Sequence, residues 1–131
     1  MNIGQNTLNW LRTELFQVEE AWSEETPRGF RWWPHRQAQT LEVIGREAGP
    51  DGAPAALVLV RTELLRDLDL GEEVLAVLQA VTLRTAGMAA PVYDPARRTL
   101  DLCTLVRVNT DNNGWMRRLI GLAAMLQIRD A

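Results

Sequence analysis

The sequence predicts an α+β protein, an antiparallel sheet of about five strands with three helices in the order α-β-β-β-α-β-β-α. Three observations predict it. Residues 8–22 carry apolar side chains at helical spacing, residues 37–44 and 99–108 alternate at strand spacing, and residues 55–65 open as a continuous apolar run. Strands outnumber helices and several are separated by turn-forming residues, which favours antiparallel pairing.

The first helix is read from Leu8, Leu11, Leu15, Val18 and Trp22, which step by three and four and share one face. Asn6 or Thr7 is the expected cap and Thr26-Pro27 the expected stop. Trp10 and Phe16 fall off the stripe and suggest a second sticky side. Phe30 to Trp33 reads as a short strand ended by Pro34, which has no N–H for a ladder. Gln37 to Ile44 follows, with Gln39, Leu41 and Val43 on one face and Thr40 and Glu42 on the other. Gly49-Pro50-Asp51-Gly52 is a turn signal. The strand from Ala55 to about Leu65 is expected to be central and covered on both sides.

Asp69-Leu70-Gly71-Glu72 resembles a capping box and opens the second helix, whose apolar face is Val74, Leu75, Val77, Leu78 and Val81, with Gly87 as its stop. Met88–Tyr93 and Thr99–Val108 form a hairpin around Asp94-Pro95-Ala96-Arg97. Leu100, Leu102, Thr104, Val106 and Val108 share one face of its second strand. The last helix, about Asn113 to Ile128, is apolar nearly all round and is expected between layers or at an interface. No linker divides the chain, so residues 1–131 are read as one domain.

Composition limits the chemistry. All 14 basic residues are Arg, and there is one His (His35), one Cys (Cys103), one Tyr (Tyr93) and one Ser (Ser23). Without Lys there is neither a Schiff base nor a phosphate-binding loop of the Walker type. One Cys and one His are too few for a zinc site of nitrogen and sulfur ligands, and a lone Cys forms no internal disulfide. No catalytic residue, metal or cofactor is expected. Nor is a membrane span: the longest apolar stretch, Ala53–Val60, is too short. The first residues lack the pattern of a secretory signal, so a cytoplasmic protein is the expectation.

The net charge of -3 argues against a general nucleic-acid binder. It is unevenly spread. Residues 1–27 set Arg12 against Glu14, Glu19, Glu20, Glu24 and Glu25, whereas residues 97–131 set six Arg against Asp101, Asp111 and Asp130. Such ends can pair within the chain or between subunits.

Five features invite functional readings. Asn109-Thr110-Asp111-Asn112-Asn113-Gly114 begins like a calcium loop, but the twelfth position is Ile120 where a bidentate carboxylate is required, so it reads as a strand-to-helix turn. His35 lacks a local orienting carboxylate and reads as a loop residue, and Cys103 as a small half-buried one. Glu42 and Glu63 are a conceivable acid pair across adjacent strands. The most unusual stretch is Arg28-Gly29-Phe30-Arg31-Trp32-Trp33-Pro34-His35-Arg36. One of its two Trp is expected in the core and the other at an edge or a partner, because Trp and Arg are the usual anchors of interfaces. Stacking of bases on Trp33 with phosphates on Arg31 is the nucleic-acid alternative.

The element order, with the hairpin Val92-Tyr93-Asp94-Pro95-Ala96-Arg97-Arg98-Thr99-Leu100 feeding Val106 and the last helix, resembles the type III secretion chaperone-like fold. It looks most like the YbjN-like branch found in bacteria. The resemblance spans about Leu8 to Ile128 and implies a small, acidic, homodimeric, non-catalytic protein that binds other polypeptides. The second helix, Leu78-Gln79-Ala80-Val81-Thr82-Leu83-Arg84, departs from the asparagine-bearing pattern of that family. The expected function is therefore a chaperone-like or adaptor-like protein-binding module acting as a homodimer. Its candidate contact residues are Trp10, Phe16, Arg31, Trp32, Trp33, Arg36, Trp115 and Met116. A small-ligand domain with Arg61, Arg107 or Arg36 holding an anion is the alternative from another class.

Overall fold

The structure, a computed structural model, describes residues 2–34, 36–48, 52, 54–69, 71–84, 89–109 and 112–130. The turn signal at 49–51, His35, Leu70, Gly87, Thr110 and Asp111 lie outside them. The first helix, α1 (Ile3–Trp10), starts four residues before the expected caps, because the Asn2 side chain accepts the Gln5 N–H at 3.0 Å. A π-helical turn, Leu11–Leu15, follows, and the helix ends there rather than at Thr26-Pro27. Gln17 takes a left-handed φ of 49°, and the Val18 N–H closes onto Arg12 O at 2.9 Å, one residue wider than a Schellman bond. A 3-10 turn, Glu20–Trp22, then leads into β1 (Ser23–Thr26). Helical spacing thus continues for two more apolar residues after helical hydrogen bonding has stopped.

Six strands build one antiparallel sheet in the order β1-β2-β3-β4-β6-β5, so the α+β class holds with one strand more than expected. The others are β2 (Gly29–Trp32), β3 (Gln39–Ala48), β4 (Pro54–Leu65), β5 (Ala90–Asp94) and β6 (Thr99–Asn109). Pro27-Arg28, expected to end a helix, is the turn between β1 and β2, which pair Thr26 with Gly29 and Ser23 with Trp32. Gly29 is required there. A Cβ on it would collide with the Leu41 carbonyl oxygen, with Glu42 Cα and Leu41 C each 2.9 Å away.

Helices α1 and α3 (Asn113–Asp130) cover one face of the sheet. Phe30, Trp32, Leu41, Val58, Val60, Val106 and Val108 point into this layer and meet Leu8, Leu11, Ile120 and Ala124. Such side chains contribute about 1.5–3 kcal/mol each on burial. The opposite face of β4 is half-open: Leu57, Leu59 and Arg61 alternate with the buried Ala56, Val58, Val60 and Thr62. The expectation of cover on both sides is therefore corrected. A continuous apolar run here reflects one dry face and one face screened by long neighbours, because α2 (Glu72–Arg84) packs beside β5 instead. Leu75 on α2 is exposed. Helix α3 is likewise one-sided. Ile120, Gly121, Ala123, Ala124 and Gln127 are buried, while Trp115, Leu122 and Met125 face outward.

Four polar side chains are built into the dry layer. Trp32 Nε1 donates to Gln39 Oε1 at 2.9 Å, and Gln39 Nε2 donates to Thr62 Oγ1 and to Ala124 O, both at 2.9 Å. Thr62 Oγ1 donates to Gln127 Oε1 at 2.8 Å, and Gln127 Nε2 donates to Val60 O at 3.0 Å and Thr104 Oγ1 at 2.9 Å. Both amides are fully used, which is the condition under which a buried polar cluster stabilises rather than costs.

Candidate functional site

Where α1 gives way to the π turn, the chain places Phe16 flat against Trp32, ring centroids 4.7 Å apart and planes inclined by 14°. Trp32 is the buried member of the Trp pair, at 8% exposure, and its ring is held from behind by Gln39. Trp33 is half-buried and lies opposite Trp22, whose carbonyl accepts the Trp33 N–H at 3.1 Å. This bond extends the β1–β2 ladder by one pair. Phe16, Gln17, Val18, Glu19, Trp22, Trp32, Trp33 and Pro34 together line an open cleft of about 510 Å³. Trp22 is 63% exposed at its wall.

Of the expected contact residues, Phe16, Trp32 and Trp33 meet in this cleft and the others do not. Trp10 and Met116 are half-buried against the core, and the Arg117 guanidinium lies 4.3 Å from the Trp10 ring centre. Trp115 is exposed at the start of α3. Arg31 is bound to Glu24 and to Thr40 Oγ1, 2.5 and 3.2 Å away, so it is not a free phosphate ligand beside Trp33. Arg36 is exposed beyond Pro34. The cleft residues not anticipated are Gln17, Val18, Glu19, Trp22 and Pro34. The ladder signal for Trp22 was hidden by its helical spacing from Val18.

The open face of the sheet carries charges that are matched within the fold. Arg61 lies 3.9 Å from both Glu42 and Asp101, which leaves it poorly placed for an anionic ligand. Glu42 and Glu63 do not pair: Glu42 sits opposite Leu59, and Glu63 sits opposite Asp101 and takes Arg66 and Arg97. Burial raises the Asp101 carboxyl above its ordinary range, against the lowering effect of Arg61 and Arg97. Its Oδ1 has no hydrogen-bond partner among the described residues. Burial also pushes the Cys103 thiol up to about 11, with Asp101 adding to the rise. A thiol of this kind is a poor nucleophile at neutral pH.

Two further places bear on ligand binding, the loop that was read as a strand-to-helix turn and a second surface cleft. In the loop before α3, Asn109 and Asn112 exchange side-chain-to-backbone hydrogen bonds at 2.8 and 2.9 Å, and Asn112 O accepts the Met116 N–H. Both asparagine side chains are thus committed to joining β6 to the helix. A second cleft, about 290 Å³, is lined by Asn2, Gln5, Arg28 and Arg46, none of them buried. No group of three or more metal-ligating side chains occurs among the described residues. No helix is long and apolar enough to cross a membrane among the described residues. Compared with known protein families, with curated proteins and with solved structures, the chain matches none.

Proposed function

We propose that the protein is a non-catalytic polypeptide-binding module, chaperone-like or adaptor-like, that works as a homodimer. One observation carries the binding reading: the open aromatic cleft of Phe16, Trp22, Trp32 and Trp33. Large rigid aromatic walls supply contact area at low entropic cost, which is what a site for varied peptide side chains needs. Its floor does not have to be ordered by the ligand, because Trp32 is already fixed between Phe16 and Gln39. The homodimer reading is supported by the outward Trp115, Leu122 and Met125 on α3, spaced to share one stripe of the helix. The resemblance to the YbjN-like family points the same way.

A peptide array probed with wild type and with Trp33→Ala tests the binding reading. A subset of peptides held by wild type and released by the variant supports it; equal binding by both removes the cleft from the function. Light scattering tests the dimer, and a monomer at roughly tens of micromolar protein ends that part.

A further inference from the structure

We propose that the cleft accepts an arginine side chain presented by an apolar segment of another polypeptide, its guanidinium stacked on Trp22 with the Glu19 carboxylate alongside. The inference rests on the polypeptide-binding reading above and names the chemistry that the site selects. The first support is that two other aromatic rings of this fold each have a guanidinium over them. Arg117 lies over Trp10 at 4.3 Å and Arg12 over Phe30 at 5.6 Å. Trp22, at 63% exposure, has no such cation among the described residues. An indole face is the best of the aromatic partners for a cation.

The second support is charge. From Thr13 to Pro27 the chain carries five glutamates and no basic residue. Arg12 engages Glu25 and Arg31 engages Glu24, which leaves Glu14, Glu19 and Glu20 without an ionic partner among the described residues. Arg28, in the β1–β2 turn, and Arg36, beyond Pro34, are the exposed cations that flank this stretch, while the cleft lining itself holds Glu19 and no basic residue. The third support is the lining itself. A purely apolar guest would strip water from Glu19 and Gln17 and return no hydrogen bond. A guanidinium donates to the carboxylate while its flat face covers the indole, and its methylene stem lies on Val18 and Pro34. Lysine offers a more strongly hydrated point charge with no planar face to stack.

The test is a titration of the full chain, followed by tryptophan fluorescence, with three synthetic eight-residue peptides. They alternate leucine with arginine, with neutral citrulline, or with glutamate. The arginine peptide is expected to bind roughly tenfold or more tighter than the citrulline peptide. The glutamate peptide is expected not to bind. Trp22→Ala is expected to remove most of that preference and Glu19→Gln to reduce it about threefold; both positions are exposed, and circular dichroism checks that each variant folds. Equal binding of arginine and citrulline peptides overturns the cation inference while leaving the binding reading intact. No binding by any peptide overturns both. Arginine selectivity that survives Trp22→Ala and Glu19→Gln places the cation elsewhere and overturns the site. Sedimentation adds a last outcome: if Trp22→Ala converts a dimer to a monomer, the occupant is a second copy of this chain and the proposal fails.

Discussion

Trp32 and Gln39, cross-strand partners on β2 and β3, are joined by a buried hydrogen bond from the indole N–H to the amide oxygen at 2.9 Å. The bond ties the floor of the aromatic cleft to the hydroxyl and amide chain that runs through Thr62 and Gln127 to Thr104. The cleft is therefore no loop-borne feature. Its deepest ring is fixed by the same contacts that align four strands with α3.

Thr62→Val keeps the side-chain shape and removes the hydroxyl at the centre of this chain. Gln127 Oε1 then loses its donor from Thr62 inside the dry layer. Leaving a buried polar atom unpaired costs about 1–3 kcal/mol, to be read by urea denaturation. Thr26→Val, which loses a part-buried hydroxyl contact to Glu42, should cost less.

Glycine substitutions separate close approach from mere flexibility. Gly29→Ala drives a methyl into the backbone of β3, which cannot yield without parting the strands, so a loss above about 3 kcal/mol is expected. Gly114, in the first turn of α3, has open space around a built Cβ. Gly114→Ala should gain several tenths of a kcal/mol from helix propensity, roughly half to one. Thermal melts of the two variants should move in opposite directions.

Asp101 gives a pH dependence whose sign follows from its burial at 2% exposure. Its carboxyl is raised above 3.8 in the folded chain, so the native state holds that proton more tightly than the unfolded one does. The stabilisation is complete below 3.8 and is lost as pH rises through the folded value. Asp101→Asn should therefore gain on wild type between acid and neutral pH. Denaturant titrations at both ends show it; a constant difference would rule it out.

Cys103 should be slow to alkylate. With its thiol pushed up from 9.0 to about 11, the thiolate fraction near pH 8 falls roughly 100-fold. Iodoacetamide labelling should be slower by about that factor in the native protein and recover in urea.

The sheet was legible where side chains alternate against a single dry layer. Leu100, Leu102, Val106 and Val108 of β6 are all buried, as their spacing implied. Residues 16–26 were not legible. Val18 and Trp22 continue the helical spacing of Leu8, Leu11 and Leu15, but the left-handed turn at Gln17 ends the hydrogen bonding first. Val18 still packs on the core, now from an extended segment, whereas Trp22 is swung outward. Ser-Glu-Glu-Thr of β1 has little strand propensity and is held by pairing with β2 across Pro27-Arg28. Periodicity counts which faces are apolar and is blind to the bond that stops a helix. The candidate cleft depends on that bond, so only its Phe16, Trp32 and Trp33 could be nominated beforehand.

The two borders of the sheet are unlike. β5 has α2 against it and contains Pro91, which supplies no N–H, while β1 is four residues long and carries Glu24 and Glu25. Head-to-tail growth, in which the β1 border of one molecule zips onto the β5 border of the next, meets a proline and a helix. Like-to-like joining of two β1 borders offers only four residues a side and has to accommodate the Arg12–Glu25 and Arg31–Glu24 ion pairs of both copies. Strand-by-strand polymerisation through β1 is thus disfavoured in both its open and its two-fold form, which works against crowded copies of this protein fusing into a continuous ribbon.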